Sequence, residues 1–223
     1  MKCSLNEIEL NCRKAAKGCG LPWGVADEAG KAVRWLHAFG LDAVTGYASL
    51  LGQYDHRNHL DYAPISLEGI WLARSEILSP IMTGISLCDC LKMMTQQPIK
   101  TADIAWPLLA AGFLGQAALN KEHAVRISWS DVSLVLSRDE LHVCGKPEDL
   151  NAASASSLTC ERLSATGGSE LADSRASLDL HIGDAAVDET AWVQLSEYAH
   201  RTYVEATEAS RLSGAGAGLN DND

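Results

Sequence analysis

Residues 125–145 read Val-Arg-Ile-Ser-Trp-Ser-Asp-Val-Ser-Leu-Val-Leu-Ser-Arg-Asp-Glu-Leu-His-Val-Cys-Gly. Apolar side chains fall at every second position: Val125, Ile127 and Trp129, then Val132, Leu134 and Leu136, then Leu141 and Val143. A period of two places alternate side chains on one face of a strand. Ser130-Asp131 and Arg138-Asp139-Glu140 supply the turns, and Gly145-Lys146-Pro147 ends the run. The stretch predicts a small antiparallel meander with one buried face.

Upstream the period changes to that of a helix. Ser4 and Glu7 have the spacing of a capping box, in which each side chain satisfies a free N–H at the helix start. Leu5, Ile8, Cys12, Ala15, Ala16 and Cys19 follow at helical spacing, with Gly18 and Gly20 as the stop. Pro22 suits the first turn of a second helix whose stripe is Val25, Ala29, Ala32, Val33 and Leu36, closed by Gly40. A third helix is expected over Asp42–Leu51, before Gly52. Residues 53–64 turn polar and read as a loop, and Ile81–Leu91 reads as strand or buried coil. Trp106-Pro107 marks a helix start within the apolar stretch Ile104–Leu119, which is too short and too interrupted to cross a membrane.

Downstream, residues 149–176 are rich in Ala, Ser and Gly, with a weak strand near Leu158–Leu163 and a loop around Thr166–Arg175. Ser177–Ile182 alternates again, and Asp188 caps a last helix through Trp192, Leu195, Tyr198 and Ala199, drawn as far as Leu212. The sum is an α+β fold: a helical N-terminal half, a short antiparallel sheet in the second half, and a C-terminal helix with a glycine-rich tail. One domain over 1–223 is expected, with a helical subregion at 1–52, a β-rich one at 122–183, and the helix and tail at 188–223.

Composition narrows the function classes. Eighteen basic against twenty-nine acidic residues give a net charge of −11, so neither nucleic acid nor an anionic membrane is expected as a partner. The seven cysteines are irregularly spaced with no CxxC pair, which fits neither a disulfide framework nor a zinc module. Together with an N-terminus lacking an apolar signal core, they point to reduced thiols in a cytoplasm. The six tryptophans against two phenylalanines make Trp the main aromatic of the core, Trp23 included.

Two stretches carry a family resemblance: Ser4-Leu-Asn-Glu-Ile-Glu through Gly20-Leu-Pro-Trp-Gly-Val-Ala-Asp-Glu-Ala-Gly to Leu36, and Arg201-Thr-Tyr-Val-Glu-Ala-Thr-Glu-Ala-Ser-Arg through Gly214-Ala-Gly-Ala-Gly to Asp223. Together they resemble the bacterial group known as domain of unknown function 3726. The resemblance implies a bacterial origin, a single-domain length and a break near Val204, because Pro is common in relatives where this chain has Glu205. It implies no activity.

The densest candidate chemistry lies in that C-terminal stretch. Arg201 and Arg211 are expected to clamp a carboxylate, Thr207 and Ser210 to add hydroxyls, and Gly214, Gly216 and Gly218 to turn backbone N–H groups toward an anion. Glu208 is the candidate acid or base, assisted by Tyr203. The partner expected is a small anionic metabolite, an amino or hydroxy acid, making the protein an enzyme or an enzyme subunit. The alternative is an accessory protein whose tail docks on a protein partner, or a homo-oligomer. No motif identifies a cofactor, and no metal is assigned. Asp55-His56-x-x-His59-x-Asp61 gathers metal-ligand types without a diagnostic spacing, and Cys88-Asp89-Cys90 reads as two buried thiols on one side of a strand.

Overall fold

The computed structural model describes residues 1–92, 94, 97–118, 124–137, 141–163 and 185–203. In chain order the elements are β1 (Lys2–Cys3), α1 (Leu5–Gly18), α2 (Trp23–Ala38), α3 (Val44–Tyr54), a 3₁₀ turn (His59–Tyr62), β2 (Ile70–Trp71), α4 (Pro80–Asp89), β3 (Ile99–Thr101), β4 (Ile104–Ala105) and α5 (Pro107–Ala118). Then come β5 (Val125–Trp129), β6 (Val132–Leu136), β7 (Leu141–Cys144), α6 (Pro147–Leu150), β8 (Ser154–Ala155), β9 (Leu158–Arg162), β10 (Ala185–Ala186) and α7 (Glu189–His200). The fold is α+β, with the helical N-terminal part that the periodicity requires.

The meander forms as expected. Val125 pairs with Leu136 and Trp129 with Val132 across a two-residue turn in which Ser130 takes φ 46°. β7 joins β6 through Leu134↔Val143. The sheet is wider than the second half alone supplies. Its order is β2-β3-β9-β5-β6-β7, and the β2–β3 pair is parallel, with Trp71 beside Thr101. The two-residue β2 and three-residue β3 are too short to show a period, which is why the sequence pattern does not reveal them.

Capping chemistry sets the helix starts. In α1 the Ser4 hydroxyl accepts from the Glu7 N–H, and the Glu7 carboxylate accepts from the Ser4 N–H at 2.8 Å, completing the capping box. Residues 80–89 correct the expectation of strand or coil. They form α4, whose Ser79 cap accepts from Met82 N–H, with Pro80 in the first turn. Cys88 and Cys90 therefore lie at a helix end, Cys90 buried and Cys88 half-buried, not side by side on a strand. The last helix stops at His200 instead of running on toward Leu212. Trp23 also departs from expectation, standing 53% exposed at the start of α2. The loop expected at 166–175 and the alternating stretch at 177–182 lie outside the described residues.

The helices pack in a layer on one face of the sheet. α5 lies against β5 and β6 on one side and against α2 and α4 on the other, while α1 packs on α2 and α7. The α2–α5 approach is close enough that a Cβ at Gly112 would come within 2.5 Å of the Ala32 carbonyl oxygen, and one at Gly115 would overlap the Trp35 ring. Ile127, Leu134, Leu158 and Leu114 are fully buried between these layers. Each such side chain stabilises the fold by about 1.5–3 kcal/mol through removal from water. Among the described residues no helix is long and apolar enough to cross a membrane.

Candidate functional site

Where α3 and α5 begin, they stand beside the segment that follows α6, and the three enclose a cavity of about 290 Å³. Asp42, Ala43, Thr45 and Gly46 form one wall, Trp106, Leu108 and Leu109 the second, and Leu150, Asn151 and Ala152 the third. The lining is mainly apolar with a few polar groups, the composition of a small-molecule site.

Each wall has a local cause. The start of α3 is capped from outside the helix. His37, at the end of α2 and 3% exposed, accepts from the N–H groups of Ala43 and Val44 through Nε2, both at 3.2 Å. Two donors on one nitrogen require an imidazole with no proton there. Burial holds the His37 pKa below the ordinary histidine value, against the opposing pull of the Asp42 carboxylate 3.7 Å away. Asp42 is committed to the same turn: Oδ1 accepts from Thr45 N–H at 3.4 Å and Oδ2 from the Thr45 hydroxyl at 2.8 Å. The N–H groups of Ala43, Val44 and Thr45 are thus already satisfied.

Trp106 carries the strain of the site. Its φ is 42°, in the left-handed region that bulky residues rarely adopt, and it precedes Pro107, which itself favours an extended neighbour. Its N–H donates to the Ala153 carbonyl, tying the α5 wall to the third one. The six-membered ring lies on α3 at Gly46, where an added Cβ would come within 2.9 Å of Cε3. The indole Nε1 is buried with no hydrogen-bond partner among the described residues. Backbone strain together with an unpaired buried donor is expensive, and such strain gathers at functional sites.

The sequence-predicted site falls elsewhere. Of its residues, Arg201 and Tyr203 are described, while Thr207, Glu208, Ser210, Arg211, Gly214, Gly216 and Gly218 lie outside the described residues. Arg201 sits where the C-terminal ends of α1, α3 and α7 meet. One guanidinium nitrogen donates to the Asp55 carboxylate at 2.6 Å and to the Gly18 carbonyl at 3.5 Å, and the group stacks over Tyr198. A cation at three helix C-termini offsets their partial negative charge. The hydrogen bond from Arg201 holds the Asp55 carboxyl below the usual range, and burial pushes the neighbouring Cys19 thiol up to about 12. Tyr203 accepts from Lys14 Nζ at 3.0 Å, and its ring meets that of His200 edge-on. Asp55 therefore serves Arg201; among the described residues no group of three or more His, Cys, Asp or Glu is placed to hold a metal ion.

Sequence reasoning took Asp42 and Trp106 only as helix starts and passed over Asn151. The signal available was the Trp-Pro pair, since a large aromatic directly before proline is conformationally restricted at a chain turn.

Residues 3–75 match the family described as Protein of unknown function (DUF3726), which supports the resemblance carried by the N-terminal stretch. The matched segment contains the Asp42–Gly46 wall of the cavity and the His37 that caps it, and ends before Trp106. No curated protein matches the sequence.

Proposed function

We propose that this protein binds a small molecule in the cavity between the starts of α3 and α5. The observation that supports the reading is Trp106, held at φ 42° with its indole against Gly46 as part of the cavity wall. The residue keeps a strained backbone and a buried Nε1 unpaired among the described residues, beside an open space, and ligand contact would offset such a cost. Among the described residues the single ionisable side chain in the lining is Asp42, so binding rather than multi-residue acid–base catalysis is the role the lining fits. We place the protein in a bacterial cytoplasm as a single domain. The bacterial origin follows the family resemblance, and the seven cysteines, all free, support a reducing compartment.

A second reading keeps the C-terminal segment as a site for an anionic metabolite, in an enzyme or an enzyme subunit, with Glu208 and Tyr203 as acid–base groups. One observation favours it: Arg201 already grips a carboxylate, that of Asp55, at 2.6 Å. An incoming carboxylate would use the same geometry.

One thermal-shift screen separates the two readings. Amines, alcohols and carboxylates are tested against wild type, Ala152→Phe, which fills the cavity, and Asp55→Ala, which frees Arg201. A cavity ligand at one hundred times its Kd should raise the wild-type melting temperature by about 5–10 °C and lose that effect in Ala152→Phe alone. Shifts unchanged in Ala152→Phe, or absent throughout, would reject the cavity. Carboxylate binding that appears or strengthens only in Asp55→Ala supports the second reading, and its absence there rejects it.

A further inference from the structure

We infer that the ligand of this cavity is an organic cation, a small amine with an apolar or aromatic body. The inference rests on the cavity being the ligand site. Three features of the wall select the charge. First, among the described residues no Lys, Arg or His lines the cavity, and the charged group there is the Asp42 carboxylate, whose side chain is 48% exposed.

Second, the first donors that an anion would meet at the α3 start are spent. Ala43 and Val44 N–H groups go to His37, and Thr45 N–H and hydroxyl go to Asp42. The positive end of the α3 dipole is already answered by Asp42 itself. An anion entering here meets a carboxylate, and the N–H groups of Ala43, Val44 and Thr45 on that wall are already taken.

Third, the opposite wall is an indole. Trp106 offers an aromatic ring, the best side-chain surface for a cation, and Leu108, Leu109 and Leu150 line the same cavity for an apolar body. Each Asp42 oxygen accepts one bond from Thr45 and has a lone pair left for an ammonium N–H. The Asn151 side chain at the rim adds another acceptor. The net charge of −11 raises the local concentration of cations around the whole molecule.

The test uses three probes of one shape: 2-phenylethylamine, 2-phenylethanol and phenylacetate, titrated calorimetrically into the full chain. The amine should bind about tenfold or more tightly than the alcohol, as a charge-assisted hydrogen bond requires, and the acid should bind weakest. In Asp42→Asn, whose amide oxygen still accepts from the Thr45 N–H and whose NH2 group can donate to the Thr45 hydroxyl, the amine should fall to the level of the alcohol while the alcohol is unchanged. Equal binding of amine and alcohol to wild type, or an acid that binds best, overturns the inference and leaves the cavity as a ligand site. An amine preference that survives in Asp42→Asn overturns it as well. If none of the three binds wild type, the cavity reading falls and the inference falls with it.

Discussion

A single nitrogen decides how the start of α3 responds to acid. His37 Nε2 accepts two backbone N–H groups, and a proton there would face two donors with none to receive it. The folded protein therefore binds that proton less readily than the unfolded chain, which titrates near 6.5. A depressed histidine pKa contributes stability that is fully present above about pH 6.5 and is lost as pH falls from there toward the lower folded value. The loss attributable to His37 reaches at most about 1.4 kcal/mol per pH unit. Thermal melts between pH 7.5 and 5 should show a steeper acid-side decline in wild type than in His37→Gln, whose amide oxygen accepts at every pH. Parallel curves would show that His37 does not cap α3 in the way its geometry implies. Because His37 holds the N–H groups of Ala43 and Val44 beside the cavity wall that Asp42 and Ala43 form, ligand affinity should weaken over the same interval.

The α2–α5 seam shows how far one element depends on another's missing atoms. Ala exceeds Gly in a helix by about 0.5–1 kcal/mol, so Gly115→Ala should stabilise α5 in isolation. In the folded chain the new methyl would overlap the indole of Trp35, itself packed on Phe39 with centroids 4.5 Å apart. Overpacking of that kind costs about 1–3 kcal/mol, which outweighs the propensity gain. Chemical denaturation of Gly115→Ala should give a net loss of about 1–2 kcal/mol. A neutral or stabilising result would mean that the two helices separate easily. The elements themselves differ in how openly the sequence shows them. α1 to α3 and β5 to β7 have one buried and one wet face, which writes a period into the residues. α4 was hidden because Pro80-Ile-Met-Thr-Gly-Ile-Ser-Leu is buried or half-buried throughout, and burial on several faces erases the period. Its Ser79 cap and Pro80 were the surviving signals.

Across the whole molecule, the site was less legible than the fold because its walls come from three separate stretches of chain. Asp42, Trp106 and Asn151 carry no common motif, and only the packing of α3, α5 and the α6 exit brings them together. Arg201 and Asp55 give the complementary case. Each drew attention as a candidate for separate chemistry, and the fold joins them as one ion pair. That joint belongs to a larger pattern. α1 rests on α7, with Asn11 Nδ2 donating to the Ser196 hydroxyl at 3.2 Å and β1 paired with β10 through Lys2↔Ala186. A ribosome makes α1 among the first residues of this chain and α7 among the later ones. At about 5–20 residues per second, α1 waits roughly ten to forty seconds for its neighbour. During synthesis its inner face is therefore open to chaperones, to proteases and to other nascent chains. Trypsin should cut at Lys14 and Lys17 in ribosome-bound chains stalled before α7 emerges and spare both sites afterwards, whereas early protection would show that α1 settles without α7.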